Sequence, residues 1–189
     1  SISYGAWTTY DTNILITQDG NWAIDFNSTD VAGNIGDTNT FYVLIDKVKP
    51  TIVDFNIHED KIGTNEAKPD LNITATDDRS GIYKMRFSCN ATNWTSWITY
   101  SNQYSDFNFL DPTYGCTAGE GIKTVYIQVS DRAGNYSLTM SDDINYDVTA
   151  PTIDNNRLSA TEIQTGESVK IYVDVSDNLT DVNYVKYYI

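Results

Sequence analysis

Two copies of a five-residue motif carry the carboxylates best placed to do chemistry in this sequence. Asp30-Val-Ala-Gly-Asn34 and Asp131-Arg-Ala-Gly-Asn135 share the pattern Asp-x-Ala-Gly-Asn. One interpretation is structural, because an Asp carboxylate accepts backbone N–H groups in a tight turn where Gly and Asn tolerate positive φ. The other is calcium binding, because Ca²⁺ takes about six to eight oxygen ligands from carboxylates and carbonyls. The two roles are compatible.

A calcium site at either motif needs further carboxylates from a neighbouring loop. The candidate ligands are Asp131 with Asp77 and Asp78, and Asp30 with Asp177 and Asp181. None of these loops has the spacing of an EF-hand. Calcium is the one cofactor that the sequence suggests, and no other cofactor is expected.

The two cysteines, Cys89 and Cys116, either form a disulfide or are two buried free thiols of a reducing compartment. Asn-x-Ser/Thr sequons favour the disulfide, because they indicate an exported protein when they occur with an acidic, strand-rich composition. The candidate glycosylation sites are Asn90 and Asn93, followed by Asn27, Asn178, Asn72 and Asn135. We therefore expect an extracellular, cell-surface glycoprotein.

Signatures of catalysis are sparse. The single histidine, His58, lies in the sequence NIHED, and a solvated histidine at a strand end fits that context better than a general base. The sequence contains neither a glycine-rich phosphate loop nor a serine-nucleophile motif. We expect no enzyme activity in this segment.

The charge balance excludes some partners. Asp and Glu outnumber Lys and Arg by 26 to 12 over 189 residues, which gives a net charge of −14. Nucleic-acid binding requires the opposite sign. Such acidity either keeps a protein soluble through self-repulsion or reflects a cation-rich environment. No stretch approaches the roughly 20 apolar residues of a membrane span, so none is expected in this segment.

The sequence repeats itself at a spacing of about 101 residues. QDGNWAIDFNSTDVAGN aligns with GEGIKTVYIQVSDRAGN, IDKVKPTI with YDVTAPTI, and LNITATDD with IYVDVSDN. These matches define a complete domain over residues 50–149, the rear half of a domain over 1–49 and the front half of a domain over 150–189. Proline before a strand in both linkers predicts short, stiff junctions.

The two half-domains suggest how copies assemble. The last residues, VKYYI, followed by the first, SISYGAWTTY, align with residues 83–100, so residues 1–49 of one unit are expected to complete residues 150–189 of another. The units are then either consecutive in a longer polypeptide or separate chains that exchange strands. Both arrangements predict a head-to-tail polymer of copies.

Short apolar runs between turn signals predict an all-β fold. The predicted strands of the complete domain are 52–57, 70–76, 82–89, 96–100, 106–110, 122–130 and 136–147. Seven strands in about 100 residues are typical of an immunoglobulin-like sandwich. Alternation places Val125, Ile127 and Val129 in the core, and Ile24 and Phe26 take the corresponding places in the other copy. The fold is thus tandem immunoglobulin-like sandwiches, one complete and one split between the chain ends.

TATDDRSGIYKMRF, WTSWITY, EGIKTVYIQVSDRAGN and DVTAPTI together resemble the tandem immunoglobulin-like repeats of bacterial and archaeal surface proteins. That group includes large adhesins, S-layer proteins and components of extracellular filaments. The resemblance implies a structural repeat unit of an extracellular filament, sheath or S-layer-type array. The alternative is the stalk or a carbohydrate-binding module of an adhesin, for which exposed rings of Trp94, Trp97 and Tyr100 would be the binding surface.

Overall fold

The computed structural model describes residues 5–10 and 13–188, and within them the chain is all-β. Two short 3-10 turns, His58–Asp60 and Pro112–Tyr114, are the helical segments of these ranges, and neither has the length or apolar character to cross a membrane. The strands are β1 (Gly20–Phe26), β2 (Asn39–Ile45), β3 (Thr51–Ile57), β4 (Gly63–Thr64), β5 (Leu71–Thr76), β6 (Ile82–Ser88), β7 (Ile98–Thr99), β8 (Gln103–Tyr104), β9 (Gly121–Asp131), β10 (Met140–Tyr146), β11 (Thr152–Leu158) and β12 (Ile171–Ser176).

Two sheets form the central domain and enclose one hydrophobic core. A five-stranded sheet has the order β4-β10-β9-β6-β7, and a three-stranded sheet has the order β3-β5-β8. The sheets are also linked at their edge, where the backbone N–H of Ile57 donates to Oδ2 of Asp142 at 2.8 Å. Side chains from both sheets share the core, in which Leu71, Met85, Phe87, Val125, Ile127 and Val129 are fully buried. The predicted inward positions of β9 are therefore confirmed.

Both flanking regions form two-stranded sheets that repeat the strand register of the central domain. The β1–β2 pairing runs from Gly20 opposite Ile45 to Phe26 opposite Asn39. The β9–β10 pairing runs from Gly121 opposite Tyr146 to Ile127 opposite Met140, a shift of 101 residues at each position. The β1–β2 pair therefore repeats the β9–β10 pair of the central domain.

The β11–β12 pair repeats the β3–β5 pair in the same way. Thr152 lies opposite Ser176 and Leu158 opposite Ile171, as Thr51 lies opposite Thr76 and Ile57 opposite Leu71. Even the irregularity recurs, because the β3–β5 register shifts between Ile52 and Asp54 and the β11–β12 register between Ile153 and Asn155. A bulge bends a strand and increases its twist. The two sheets thus share curvature as well as pairing.

Three strand predictions need correction, one of which is the strand over 136–147 that is shortened to β10. Residues 106–110 form no strand, although Phe107 and Phe109 are buried as an alternating pattern predicts. The Asn108 side chain accepts a hydrogen bond from the N–H of Leu110 at 2.9 Å, and the N–H of Asp111 donates to the Asn108 carbonyl at 3.1 Å. These local bonds fold the segment into turns. The strand predicted over 96–100 is reduced to β7.

Truncation of equivalent residues in the complete and the flanking sheets should have very different effects. Leu71 is 0% exposed and Ile171, at the corresponding register position, is 62% exposed. Leu71→Ala should lower the free energy of unfolding by about 2–5 kcal/mol, because it leaves a cavity in the core. Ile171→Ala should change it by less than about 1 kcal/mol in dilute protein. Urea unfolding of the two variants measures both effects, and equal losses would contradict the assignment of one complete core.

Candidate functional site

The Asp131 motif forms a tight turn in which the carboxylate bonds to a single residue. Oδ1 of Asp131 accepts the backbone N–H of Asn135 at 2.8 Å, and Oδ2 accepts the side-chain Nδ2 of Asn135 at 2.7 Å. Gly134 between them has a φ of 93°, which glycine adopts without strain. The predicted turn role is therefore present. Asp131 is nevertheless buried, with only 2% of its surface exposed.

The Asp30 motif has the same geometry in a more exposed place. Oδ1 and Oδ2 of Asp30 accept the backbone N–H and the Nδ2 of Asn34, both at 2.8 Å. The Asn34 side chain, followed by its backbone N–H, lowers the pKa of Asp30. We call the paired Asp and Asn of each motif the Asp–Asn clasp. The clasp forms within the hairpin and does not need the rest of a domain.

Three carboxylates converge where the first linker meets the central domain. Oxygen atoms of Asp46, Asp77 and Asp131 all lie within 4.8 Å of one another. Asp46 belongs to the linker before β3, Asp77 follows β5 and Asp131 ends β9. The sequence predicted that Asp77 and Asp131 meet, and the structure brings them together. Asp78 is not in this group, and its carboxylate faces the Arg79 guanidinium at 3.9 Å.

Backbone hydrogen bonds fix the other two carboxylates of the cluster as well as Asp131. Oδ1 of Asp46 accepts the N–H of Val48 and its Oδ2 accepts the N–H of Ser80, both at 3.0 Å. Oδ1 of Asp77 accepts the N–H groups of Arg79 at 3.2 Å and Gly81 at 2.6 Å. The carboxylates are thus held in place before any ligand arrives.

One oxygen in this cluster lacks a hydrogen-bond partner. Oδ2 of Asp77 is buried and unpaired within the described ranges. A buried unpaired carboxylate oxygen is costly, and more so beside two other carboxylates. A divalent cation would satisfy this oxygen and offset the mutual repulsion. Carboxylate oxygens are the ligands that Ca²⁺ prefers, so Asp46, Asp77 and Asp131 fit it as a ligand set.

The same residues join the linker to the central domain. Nδ2 of Asn135 donates to the backbone carbonyl of Asp46 at 3.0 Å as well as to Asp131. Asp19, just before β1, accepts the N–H of Lys47 at 3.0 Å and pairs with Nε of Arg79 at 3.0 Å. Side chains therefore tie the rear segment, the linker and the central domain together at one place.

The second linker repeats this arrangement with two carboxylates. The Asp147 carboxylate accepts the N–H of Thr149 at 3.0 Å and the Thr180 hydroxyl at 2.7 Å. The Asp177 carboxylate accepts the N–H groups of Leu179 at 3.1 Å and Thr180 at 2.9 Å. The N–H of Thr180 is the first cause that lowers the pKa of Asp177. Asp181 lines an open cavity of about 540 Å³ with Asp147. Only the first linker gathers three carboxylates within the described residues, and Asp30 is not at the second.

Asp46 was not predicted as a ligand from the sequence, although the sequence contains a pattern that indicates it. Asp46 and Asp147 occupy the same place four residues before Pro50 and Pro151. An acidic residue at the same place in both linkers marks a role at the junction. Its pKa lies below the ordinary value, chiefly because Ser80 hydrogen-bonds to the carboxylate.

The predicted disulfide is present. Cys89 and Cys116 are bonded, with their Cα atoms 4.8 Å apart. The bridge fastens the end of β6 to the loop that follows residues 106–110. Closing a loop of 27 residues stabilises the fold by about 3–4 kcal/mol on the chain-entropy model.

The sequons differ in how free their side chains are. Asn27, Asn90, Asn93 and Asn178 are exposed. Nδ2 of Asn72 donates to Oδ1 of Asn56 at 3.1 Å, and Asn135 is engaged in its clasp. Oδ1 of Asn90 accepts the N–H of Asn93 at 2.8 Å. Glycosylation stays a prediction at all six, and the four exposed positions are the most accessible.

The aromatic residues proposed for sugar binding have partners within the domain. The Arg86 guanidinium lies 4.7 Å from the ring centre of Trp94 and 4.5 Å from that of Trp97. The Tyr100 hydroxyl accepts the N–H of Ala75 and donates to the carbonyl of Ile73, both at 3.2 Å. All three rings are half-buried. They support β6 and β5 and do not form a shared open surface.

His58 has no carboxylate partner in the hydrogen bonds of the described residues. Its Nε2 lies 3.2 Å from Nζ of Lys61, in a turn where His58 and the next two residues have positive φ. A general base needs a group that orients it or a substrate within reach. The absence of enzyme activity remains a prediction.

Comparisons with known proteins found few similarities. No family model matches the chain, and no curated protein matches it. Among solved structures, the chain is similar to a tetra-tandem repeat in the extending region of a large adhesion protein. The match has 18% identity and a TM-score of 0.37, and it covers 82% of this chain and 45% of the other. A TM-score this low does not establish a shared fold.

Calcium should stabilise the chain through the three-carboxylate cluster. At a calcium concentration 100 times Kd, binding adds about 2.7 kcal/mol to the free energy of unfolding. Asp77→Asn should abolish this gain, whereas Asp78→Asn should keep it, because Asp78 lies outside the cluster. Calorimetric unfolding with calcium and with chelator measures the gain. An equal gain in both variants, or none in the wild type, would contradict the assignment.

Asp46 should also make stability depend on pH when calcium is absent. Because Ser80 lowers its pKa in the folded state, Asp46 stabilises the fold above its unfolded pKa of about 3.8. That contribution is lost as the pH falls through the folded pKa. Asp46→Asn should flatten this part of the profile. Urea unfolding between about pH 6 and pH 2 in chelator tests the difference, and parallel profiles for Asp46→Asn and wild type would refute it.

Proposed function

We propose that this chain is a structural repeat unit of an extracellular filament, sheath or S-layer-type array, whose immunoglobulin-like domains stack head to tail. The observation that carries this proposal is the register identity of the flanking sheets with the two halves of the central domain. Each flanking sheet has the form of half a domain. Residues 150–189 of one unit followed by residues 1–49 of the next would give a complete second domain.

The immunoglobulin-like character of each domain is part of this proposal. Two sheets around one core, with β3 and β5 on one side and β9 and β10 on the other, are the features that support it. Their strand pairs are antiparallel except for β4 beside β10. Units are joined either by a peptide bond in a longer polypeptide or by strand exchange between chains. A head-to-tail contact of either kind extends without closing.

Stiff junctions would suit such an array. The Asp46 backbone and carboxylate are both held by residues of the central domain. Calcium bound by Asp46, Asp77 and Asp131 would add a further tie between linker and domain. Pro50 fixes its own φ and keeps the preceding residue extended. We therefore expect domains in line with little bending between them.

The surface and the covalent bond fit an extracellular location. The disulfide is of the kind that persists outside a reducing compartment. The net charge of −14, with glycans on exposed sequons, would keep the surface hydrated. A carbohydrate-binding role has less support, because Trp94, Trp97 and Tyr100 contact groups of their own domain.

The axial advance of each unit tests the proposal. A sandwich strand of about 8–10 residues spans roughly 30 Å, so two domains with their linkers should advance about 70–90 Å. Small-angle X-ray scattering of one, two and three copies joined in tandem should show a maximum dimension that grows by this amount per copy. A third copy that leaves the maximum dimension unchanged would argue against an in-line array.

A further inference from the structure

The two flanking sheets carry apolar faces that their counterparts bury in the central domain. Four residues of β3 and β5 are at most 7% exposed, whereas the corresponding residues of β11 and β12 are 39–65% exposed. The pairs are Ile52 and Ile153, Ile57 and Leu158, Leu71 and Ile171, and Ile73 and Val173. One position departs from the pattern, because polar Asn156 corresponds to buried Phe55. The face of β11–β12 is otherwise a core surface without a cover.

The β1–β2 hairpin offers the matching cover. In the central domain the cover consists of β9 and β10, whose Val125, Ile127 and Ile144 are at most 2% exposed. The corresponding residues at a shift of 101 are Ile24, Phe26 and Val43. Val43 is 39% exposed, and Ile24 and Phe26 are partly exposed. Because the pairing register is the same, the hairpin presents its apolar side chains at the same spacing.

The Asp–Asn clasp gives this surface an orientation. In the central domain, Asn135 holds Asp131 and also donates to the backbone carbonyl of Asp46 at 3.0 Å. The hairpin carries a preformed clasp of the same dimensions in Asp30 and Asn34. The acceptor that corresponds to the Asp46 carbonyl is the carbonyl of Asp147.

The carboxylates at the second linker complete the correspondence. Asp147 and Asp177 accept hydrogen bonds as Asp46 and Asp77 do, and the 8% exposure of Asp147 is close to the 7% of Asp46. At the first linker the third carboxylate is Asp131, which corresponds to Asp30. The second linker therefore lacks a third carboxylate, and the hairpin carries the corresponding one in Asp30.

We infer that the β1–β2 hairpin of a second copy packs on the β11–β12 face, with its Asp30 joining Asp147 and Asp177 and its Asn34 donating to the Asp147 carbonyl. This inference rests on the proposed head-to-tail function and adds the residues that set its register. The site is incomplete in one copy and shared between two. The apolar faces supply the attraction, and the clasp fixes how far the hairpin slides along its partner.

The same correspondence specifies a strand pair between copies. In the central domain Lys84 of β6 lies opposite Ser130 of β9. Alignment of VKYYI with YKMRF makes Lys186 the counterpart of Lys84, and Thr29 is the counterpart of Ser130. Lys186 of one copy should therefore lie beside Thr29 of the next.

Cysteine cross-linking of the full chain tests this register. The wild-type chain has no free cysteine, so an added thiol reacts alone. A mixture of Lys186→Cys and Thr29→Cys chains in calcium-containing buffer should form a disulfide-linked pair at least tenfold faster than Lys186→Cys mixed with Leu138→Cys. Leu138 is 81% exposed and belongs to the central domain, so it controls for random collision. Equal rates for the two mixtures would overturn the inference.

Sedimentation of variants tests the apolar face and the Asp–Asn clasp separately. Ile171→Lys should weaken association at least tenfold by placing a charge on the apolar face, and Leu138→Lys should not. Asn34→Ala should weaken association as well, because it removes the clasp of the docking hairpin. Near-ultraviolet circular dichroism of the variants checks that the central domain stays folded. Association that is insensitive to Ile171→Lys and Asn34→Ala would refute the shared site.

A permuted chain separates the failure of this inference from the failure of the proposed function. Residues 150–189 followed by 1–149 contain the same side chains but join the two halves in one molecule. This chain should stay monomeric at concentrations at which the wild type associates. A wild type that stays monomeric at about 1 mM would overturn docking between copies. The length of two and three copies joined in tandem would still decide the in-line array independently.

Discussion

Mutual coverage of two sheet faces is the constraint on which this structure depends. A sheet that packs on one side has an apolar face, and that face is stable only when another sheet removes it from water. The β3–β5 sheet achieves this against β9 and β10, and its Leu71 and Ile73 are excluded from solvent. The outer sheets have the same backbone pairing without that coverage. Backbone hydrogen bonding therefore defines the shape of each sheet, and side-chain burial shows which sheets have a covered apolar face.

The first linker is part of a domain surface and not a free tether. Asp46 lies between the rear segment and the central domain. Even so, Ser80 of the central domain binds its carboxylate and Asn135 binds its backbone carbonyl. Such bonds restrict the linker more than its proline does, because they fix its position as well as one dihedral angle. They also concentrate negative charge at the junction between the rear segment and the central domain. The geometry and the electrostatics of the junction are thus set by the same residues.

The sequence predicted the strands well where alternation reflects burial. Val125, Ile127 and Val129 alternate because β9 has one buried face, and the shift of 101 residues then carried this assignment to β1. The same rule failed at Phe107 and Phe109, where local bonds from Asn108 turn the chain and still leave both rings in the core. Alternation reports which side chains are buried, and it does not report whether the backbone between them is extended.

The cluster was predicted only in part, for a related reason. Asp77 and Asp131 lie in loops at the same end of one domain, so strand order alone brings them together. Asp46 lies outside that domain in sequence, and only the packing of the linker shows that it belongs with them. The unpaired oxygen of Asp77 is a still finer feature. It depends on which carboxylate oxygen the N–H groups of Arg79 and Gly81 select, which residue types do not determine.

The covalent bond between Cys89 and Cys116 has a mechanical consequence for a chain held at its two ends. The residues between these cysteines lie outside the path along which tension passes, even after the central domain has come apart. With a sequence separation of 27 and about 3.4 Å per residue, the disulfide prevents roughly 90 Å of contour length from extending under tension. Reduction of the disulfide would allow this length to extend. The redox state of a single bond therefore sets the maximum stretch of the unit.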